Sequence, residues 1–406
     1  MAAHNEAATW MMNLLTGSPV LISVMATVAS LPFFLFTLPA GVLADKVNRQ
    51  KFVCAINVWL AGIAAGLAVL GWLHLLNPYL ILAGVFLLGV GFAFNAPAWT
   101  SIVSQVVSDG ELPSAATLSG LQLNISGIIG PVLGGFLIPL AGVNFVFAVN
   151  ASCFLLIVLA ARQCKRSSMP AKLRSESFFE SVRAVIRYVL GAPKLQTVLA
   201  RNFLFALFIS AIPALMPVVG LKALHLSSFH LGLLFTSMGV GSVVGAAFII
   251  PWLRARFRPD ALTLSANLLL VLVYVLMALV RQTEMLFGIA ALAGAGWTLS
   301  ASELWVAAQR VTPNWARGRI NATVIMISQG AMVLGGLIWG SAAAIFGASN
   351  TLFGAAVLFL TSLFLARRLS INFAGNLEES VSGAFSVGVE ARAVTPIALT
   401  KISLPS

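Results

Sequence analysis

Glu303 stands in the stretch WTLSASELWVAA, in a chain that is 59% hydrophobic and only 9% charged. An ionised carboxylate among such neighbours needs a proton, a cation such as Arg310, or access to water. Two of these options are chemistry. A carboxyl group that gains and loses a proton can link solute movement to a proton gradient, and a carboxylate can counter a cationic solute. A structural hydrogen bond is the plain alternative, helped by a position near one end of the apolar run Leu286–Ala308. Glu6 is a second carboxyl group of this kind if the short apolar stretch beside it, Ala7–Leu15, also lies in lipid.

Neutral polar side chains in apolar runs offer a second set. Ser119, Gln122 and Ser126 share one helical face, with Asn124 offset from it. Asn95 and Trp99 lie in the preceding run. Trp297 and Ser300 accompany Glu303, and Asn321, Ser328 and Gln329 follow. Such groups can line a solute path, or they can serve as interhelical glue worth about 0.6 kcal/mol each. GPVLGG carries packing chemistry: Gly130 and Gly134 form a small-xxx-small pair beside Gly135, and Pro131 removes a backbone donor and invites a bend. Cys54, Cys153 and Cys164, with the four histidines, show no metal-ligand or disulfide spacing. No nucleophile–base constellation or phosphate-binding loop is present, so neither an enzyme nor an ATP-driven pump is expected, and no cofactor.

The elements that position these residues follow from composition. A hydrocarbon layer about 30 Å thick needs about 20 apolar residues per helix. Eleven runs qualify: Pro19–Ala44, Phe52–Leu73, Tyr79–Trp99, Leu118–Leu140, Val143–Ala161, Leu195–Gly220, Leu231–Trp252, Leu262–Val280, Leu286–Ala308, Ile320–Ala344 and Leu352–Ala366. Ala7–Leu15 crosses about half of that thickness and reads as the outer half of an incomplete first helix. The fold class is thus an all-α membrane protein with about 11 complete spans.

The net charge of +12 does not form a continuous basic face, which argues for a membrane surface and against nucleic acid. Alternate loops carry nearly all the bases: Lys46, Arg49 and Lys51; the block Arg162 to Arg201; Arg254, Arg256 and Arg258; Arg310, Arg317 and Arg319; Arg367 and Arg368. Only Lys222 and Arg281 fall on the other side. The bias assigns the basic loops, the central segment and the C-terminus to the cytoplasm.

A shift of 205 positions lays the second half on the first. Gly89 and Gly91 fall on Gly294 and Gly296, Gly130 and Gly135 on Gly335 and Gly340, Gly142 on Gly347. Four segments result: a helical bundle over 1–161, a basic linker over 162–194, a second bundle over 195–369 and a polar tail over 370–406. In the linker, Phe178, Phe179, Val182, Val185, Ile186 and Val189 share a helical face, suited to the anionic inner surface of a membrane or to a solvated connector. Pro213 and Pro217 predict a kink in their span.

Two six-helix halves, a basic central segment and the loop GVLADKVNRQK resemble the major facilitator superfamily over roughly Trp10 to Arg368. Gly41, Leu43, Asp45, Lys46 and Arg49 match the superfamily's signature loop, and Asn48 replaces its second glycine, where tolerance of left-handed backbone could keep a tight turn. GPVLGG resembles the fifth-helix motif of exporters, although the earlier glycines of that motif are out of register. With the stretch Trp297–Arg319, the chain is most similar to the bacterial branch that includes siderophore exporters, often labelled transmembrane secretion effector. Related exporters carry an arginine near the position of Gly127; this chain does not.

The resemblance implies two bundles related by a pseudo-twofold axis, with a conformational latch at Gly41, Asp45, Lys46 and Arg49. It implies a substrate cavity among Asn95, Trp99, Gln122, Asn124, Trp297, Ser300 and Gln329, with Glu303 in coupling. The expected protein is a monomeric multi-pass transporter of the bacterial inner membrane, exporting a small amphiphilic drug or siderophore by proton antiport among membrane lipids. An uptake permease of the same fold and a transport-inactive scaffold or sensor are the rival expectations.

Overall fold

The computed structural model describes residues 1–106, 112–163, 178–312, 317–366 and 369–371, and among these it holds helices and no strand. Lipid dictates that outcome, because a helix satisfies each backbone N–H and C=O within its own segment. The first half comprises α1 (Ala2–Leu15), α2 (Pro19–Lys46), α3 (Arg49–Trp72), α4 (Pro78–Val106), α5 (Leu112–Ala141) and α6 (Val143–Gln163). The connector α7 (Phe178–Gly191) follows. The second half comprises α8 (Pro193–Ala223) and α9 (Ser228–Arg254), then α10 (Pro259–Leu279), α11 (Thr283–Val311), α12 (Arg317–Phe346) and α13 (Ala348–Ala366). Each of the eleven predicted spans falls on one of these helices. Several helices protrude beyond the apolar run, since backbone geometry outlasts hydrophobicity by a turn.

Local sequence sets the ends. Pro19, Pro78, Pro193 and Pro259 open α2, α4, α8 and α10, where a missing N–H costs nothing. Asn48, in extended backbone at φ −64°, accepts from the Lys51 amide at 3.1 Å and caps α3. The expected left-handed turn at Asn48 is therefore replaced by a side-chain cap, the commoner use of asparagine before a helix. Left-handed backbone occurs instead at Gly142 (φ +84°) and Gly347 (φ +82°), the one-residue corners between α5 and α6 and between α12 and α13.

The kink expected from Pro213 and Pro217 takes a definite form. α8 is interrupted at Ser210, three residues before Pro213, and widens into a π turn over Val219–Ala223, just after Pro217. Proline offers no N–H, so the ladder opens and a wider turn absorbs the mismatch. α9 does the same over Gly245–Ile249 before Pro251, which its uniform apolar run does not foretell.

The 205-residue repeat relates contacts as well as residues. Gly91 packs against Leu60 of α3, and Gly296 against Leu270 and Ala266 of α10. Gly130 meets Ala2 of α1, while Gly335 meets Leu207 of α8, the residue 205 places on. Gly135 meets the Ser228 carbonyl of α9, and Gly340 meets Ser23 of α2, again 205 apart. Two bundles related by a pseudo-twofold axis are thus written into matched glycine contacts. At the basic end of the second half, Asp260 on α10 receives Arg201 of α8, the Ser370 hydroxyl and, at 3.0 Å, the Ile371 amide.

Candidate functional site

The halves meet along two seams, α5 against α9 and α2 against α12. Small residues line both. On the first, Gly232 abuts the Pro131 carbonyl, Gly239 the Gly127 backbone, and the Thr236 hydroxyl donates to the Ile128 carbonyl at 2.7 Å. On the second, Gly340, Gly336 and Gly330 face Ser23, Thr27 and Phe34. These approaches run from the middle of the helices to the end remote from the loop at 41–51. At the same remote end, Lys222 of α8 donates to the Thr16 carbonyl beyond α1 at 3.3 Å. Close backbone approach of this kind is how helices associate in lipid, where apolar area alone supplies no drive.

GPVLGG is the crossing point of three helices. Gly130 and Gly134 receive α1 through Ala2, Ala3 and Glu6, whereas Gly135 faces α9. Glu6 is only 2% exposed, and neither carboxyl oxygen has a hydrogen-bonding side chain. A methyl group at Gly134 would stand 2.8 Å from its Oε2, and one at Gly135 or Gly232 2.9 Å from its Oε1. His4, on the opposite face of α1, is fully buried with both ring nitrogens unpartnered and its ring 4.5 Å from that of Phe147. The sequence places Glu6 next to an apolar stretch; it does not reveal that three glycines from two other helices enclose it.

The candidate solute-path residues divide. Asn95 accepts from Asn57 at 3.3 Å, tying α4 to α3 inside the first bundle. Ser300 donates to Asn267 at 2.9 Å, tying α11 to α10. Ser328 receives Asn202 of α8 at 2.6 Å, and Asn321 receives Gln309 at 2.7 Å. For these four the packing role is visible. Trp99 and Gln122 are exposed, on the side of the seams nearer the basic loops; Trp297 is half-buried, and Gln329 keeps a buried, unpartnered Oε1 beside Gly330. The Asn124 and Ser119 side chains lie outside the described residues. A cavity of about 350 Å³ lies within the second half, lined by Arg201, Phe205, Asp260 and Asn267.

Glu303 is 3% exposed and accepts from Nε of Arg254 at 2.6 Å. The partner is thus Arg254, at the end of α9, and not Arg310, which is exposed. Arg254 is 42% exposed, so the pair bridges the bundle interior and the basic end. Backbone geometry puts Asp45 and Lys46 in the last turn of α2 and Arg49 at the start of α3; their side chains lie outside the described residues. Gly41 has open space where a β-carbon would be. Of the connector's predicted face, Ile186 is exposed, as is neighbouring Leu190, while Gln196 of α8 donates to the Val189 and Leu190 carbonyls at 2.9 Å each. Phe178, Phe179, Val182 and Val185 have side chains outside the described residues.

Comparison with known proteins adds a lineage. The family of transmembrane secretion effectors matches residues 1–390. The enterobactin exporter EntS of Citrobacter koseri is 28% identical over 348 residues, covering 81% of this chain and 77% of that one. Its counterpart in Salmonella typhimurium is 25% identical over 336 residues, covering 80% and 78%. Among solved structures, the nucleoside transporter NupG superposes with a TM-score of 0.67 at 13% identity, covering 91% of this chain and 96% of that one. A bacterial homologue of the human lysosomal transporter Spinster gives 0.67 at 13%, covering 91% and 93%. These two share the major facilitator fold seen here.

Proposed function

We propose, because the chain belongs to the transmembrane secretion effector family, that this multi-pass inner-membrane transporter is a secondary active exporter of small amphiphilic molecules driven by proton antiport. The observation that carries the reading is the position of the glycine seams. Both hold the halves together from mid-helix to the end away from the basic loops, and Trp99 and Gln122 are exposed nearer those loops. Taking the basic loops as cytoplasmic, by the bias of Lys and Arg toward that side, this arrangement is closed outward and open inward. Rocking of the two repeats about the seams then exposes a shared pathway to each side in turn.

Within that cycle, Asp45, Lys46 and Arg49 act at the inner end of α2 as the latch that holds the alternative, inner-closed state, with Gly41 giving room for approach. The Arg254–Glu303 pair sits at the equivalent inner edge of the second half and couples closure to charge. Trp99, Gln122, Asn124, Trp297 and Gln329 contact the solute; Asn95 and Ser300 shape its walls. The connector α7 rests its apolar face on the inner membrane surface. Because its relatives include enterobactin exporters, a siderophore, enterobactin first, is the substrate to test.

Inside-out membrane vesicles provide the test. Imposed acidification of the lumen drives enterobactin uptake, collapse of the gradient abolishes it, and Glu303→Gln reduces it at saturating substrate. Movement indifferent to the proton gradient overturns antiport. Failure of enterobactin and a panel of amphiphilic drugs to move under any gradient overturns export itself.

A further inference from the structure

We infer that Glu6 is a proton-binding site built into the outer seam, and that α1, α5 and α9 close upon one another there only when its carboxyl group is neutral. Glu6 is only 2% exposed, neither oxygen has a side-chain partner, and both press against glycine backbone. A charge in that position is withdrawn from bulk solvent and has no ion-pair partner among the described residues, a combination that buried carboxylates do not sustain. Two of the three glycines, Gly134 and Gly135, belong to α5 and the third, Gly232, to α9 of the other half. The carboxyl group therefore sits on the contact that must part for the outer side to open.

Few charged or titratable groups lie on the helices packed against it. α5 contains no charged or titratable residue. On α9, Arg254 is at the far end, and His230 bonds Ser227 at 2.8 Å and stacks on Phe287 of α11. On α6, Cys153 is exposed and Arg162 lies in the last turn; α4 offers only Tyr79, exposed at its start. Asp45 and Lys46 occupy the opposite end of α2. On α1 itself, His4 points to Phe147, two residues and just over half a turn away from Glu6. The Met1 α-amino group stands more than one turn earlier on the same helix and makes no ion pair with Glu6, and among the described residues no lysine, arginine or histidine side chain pairs with it either.

Closure and protonation are then linked, and each favours the other to the same extent. With the seam open, Glu6 meets water and releases a proton to it as hydronium; with a proton on one oxygen, the neutral group fits among the glycines and the seam shuts. Its role in coupling rests on the exporter reading. A carboxyl group that closes the outer side only after loading from outside supplies the proton step that antiport requires, whereas Glu303 is held by Arg254.

The test reads the seam directly. Spin labels at Leu140 and Phe229, exposed near the outer ends of α5 and α9, are introduced into a full chain with its cysteines replaced by serine. Distances are measured in lipid nanodiscs without substrate. The wild-type ratio of short to long distances falls at least about tenfold between about pH 5 and about pH 9. Glu6→Gln stays short throughout, Glu6→Asp retains the shift at an altered midpoint, and His4→Gln titrates as the wild type does. A wild-type distance indifferent to pH overturns the proposal without need of any variant, and so does a Glu6→Gln protein that titrates normally or a Glu6→Asp protein that does not. Because no solute is present, this result stands apart from the vesicle assay: enterobactin can fail to move while the seam titrates, and the reverse.

Discussion

The α5–α9 seam and the α2–α12 seam are copies of one another, yet among the described residues only the first carries a buried acid. Shifting Glu6 by 205 gives Ala211, fully buried, and shifting Gly134 gives Trp339, whose indole donates to the Leu207 carbonyl at 2.9 Å. The second half thus fills with an aromatic ring the space in which the first holds a carboxyl group. Backbone meets backbone on the first seam, at Gly232 and the Pro131 carbonyl; on the second, Gly340 and Gly336 meet the hydroxyls of Ser23 and Thr27. A duplicated scaffold therefore keeps its packing code in glycine while one copy acquires titratable chemistry. Pseudo-symmetry fixes where the halves touch, and departures from it mark where they differ in work.

The largest break in this comparison comes from bulk on the seams. Gly232→Leu meets fixed backbone, and overpacking of about 1–3 kcal/mol lowers vesicle transport about tenfold or more. Gly340→Leu meets a rotatable hydroxyl, so its cost stays near about 1 kcal/mol or below and transport falls far less. Equal losses at both sites would erase the distinction drawn between the seams.

Removing Arg254 tests the inner edge. Arg254→Ala leaves Glu303 buried without a partner and lowers stability by about 1–2 kcal/mol, the loss tempered by the 42% exposure of the arginine. Thermal unfolding in detergent reads it, and Arg254→Ala combined with Glu303→Gln recovers part of the loss. The corners sharpen the symmetry itself: Gly142→Ala and Gly347→Ala each cost about 1–2 kcal/mol for left-handed backbone, and the two melting shifts agree. Smaller is the effect of Asp260→Asn, which weakens the hold on residues 369–371 by about 1 kcal/mol and speeds amide exchange at Ile371. Its counterpart in the first half, the bond from Gln50 to the Ala161 carbonyl at 2.7 Å, yields a still smaller change in Gln50→Ala.

Much of the fold is legible in the sequence because lipid leaves the chain few choices. Apolar length gives the spans, the alternation of bases orders them, and glycines 205 apart reveal the repeat before any contact is seen. Partners are less legible. Arg254 and Glu303 lie 49 residues apart on different helices, and nothing in the spacing prefers Arg254 over Arg310. Asn95, Ser300, Asn321 and Ser328 carry the same polar signature as Gln122, yet they spend it within a bundle, because periodicity identifies a face without saying what covers it. Glu6 illustrates the gap most clearly: its importance depends on Gly134, Gly135 and Gly232, two helices distant from its own apolar stretch.

The corners at Gly142 and Gly347 have one more consequence. Each joins a helix at the seam to its neighbour through a single residue, so α5 with α6, and α12 with α13, are coupled without an intervening loop. A change of tilt in one helix of a pair has little chain in which to be absorbed before it reaches its partner, and lengthening either corner is expected to loosen the adjoining seam.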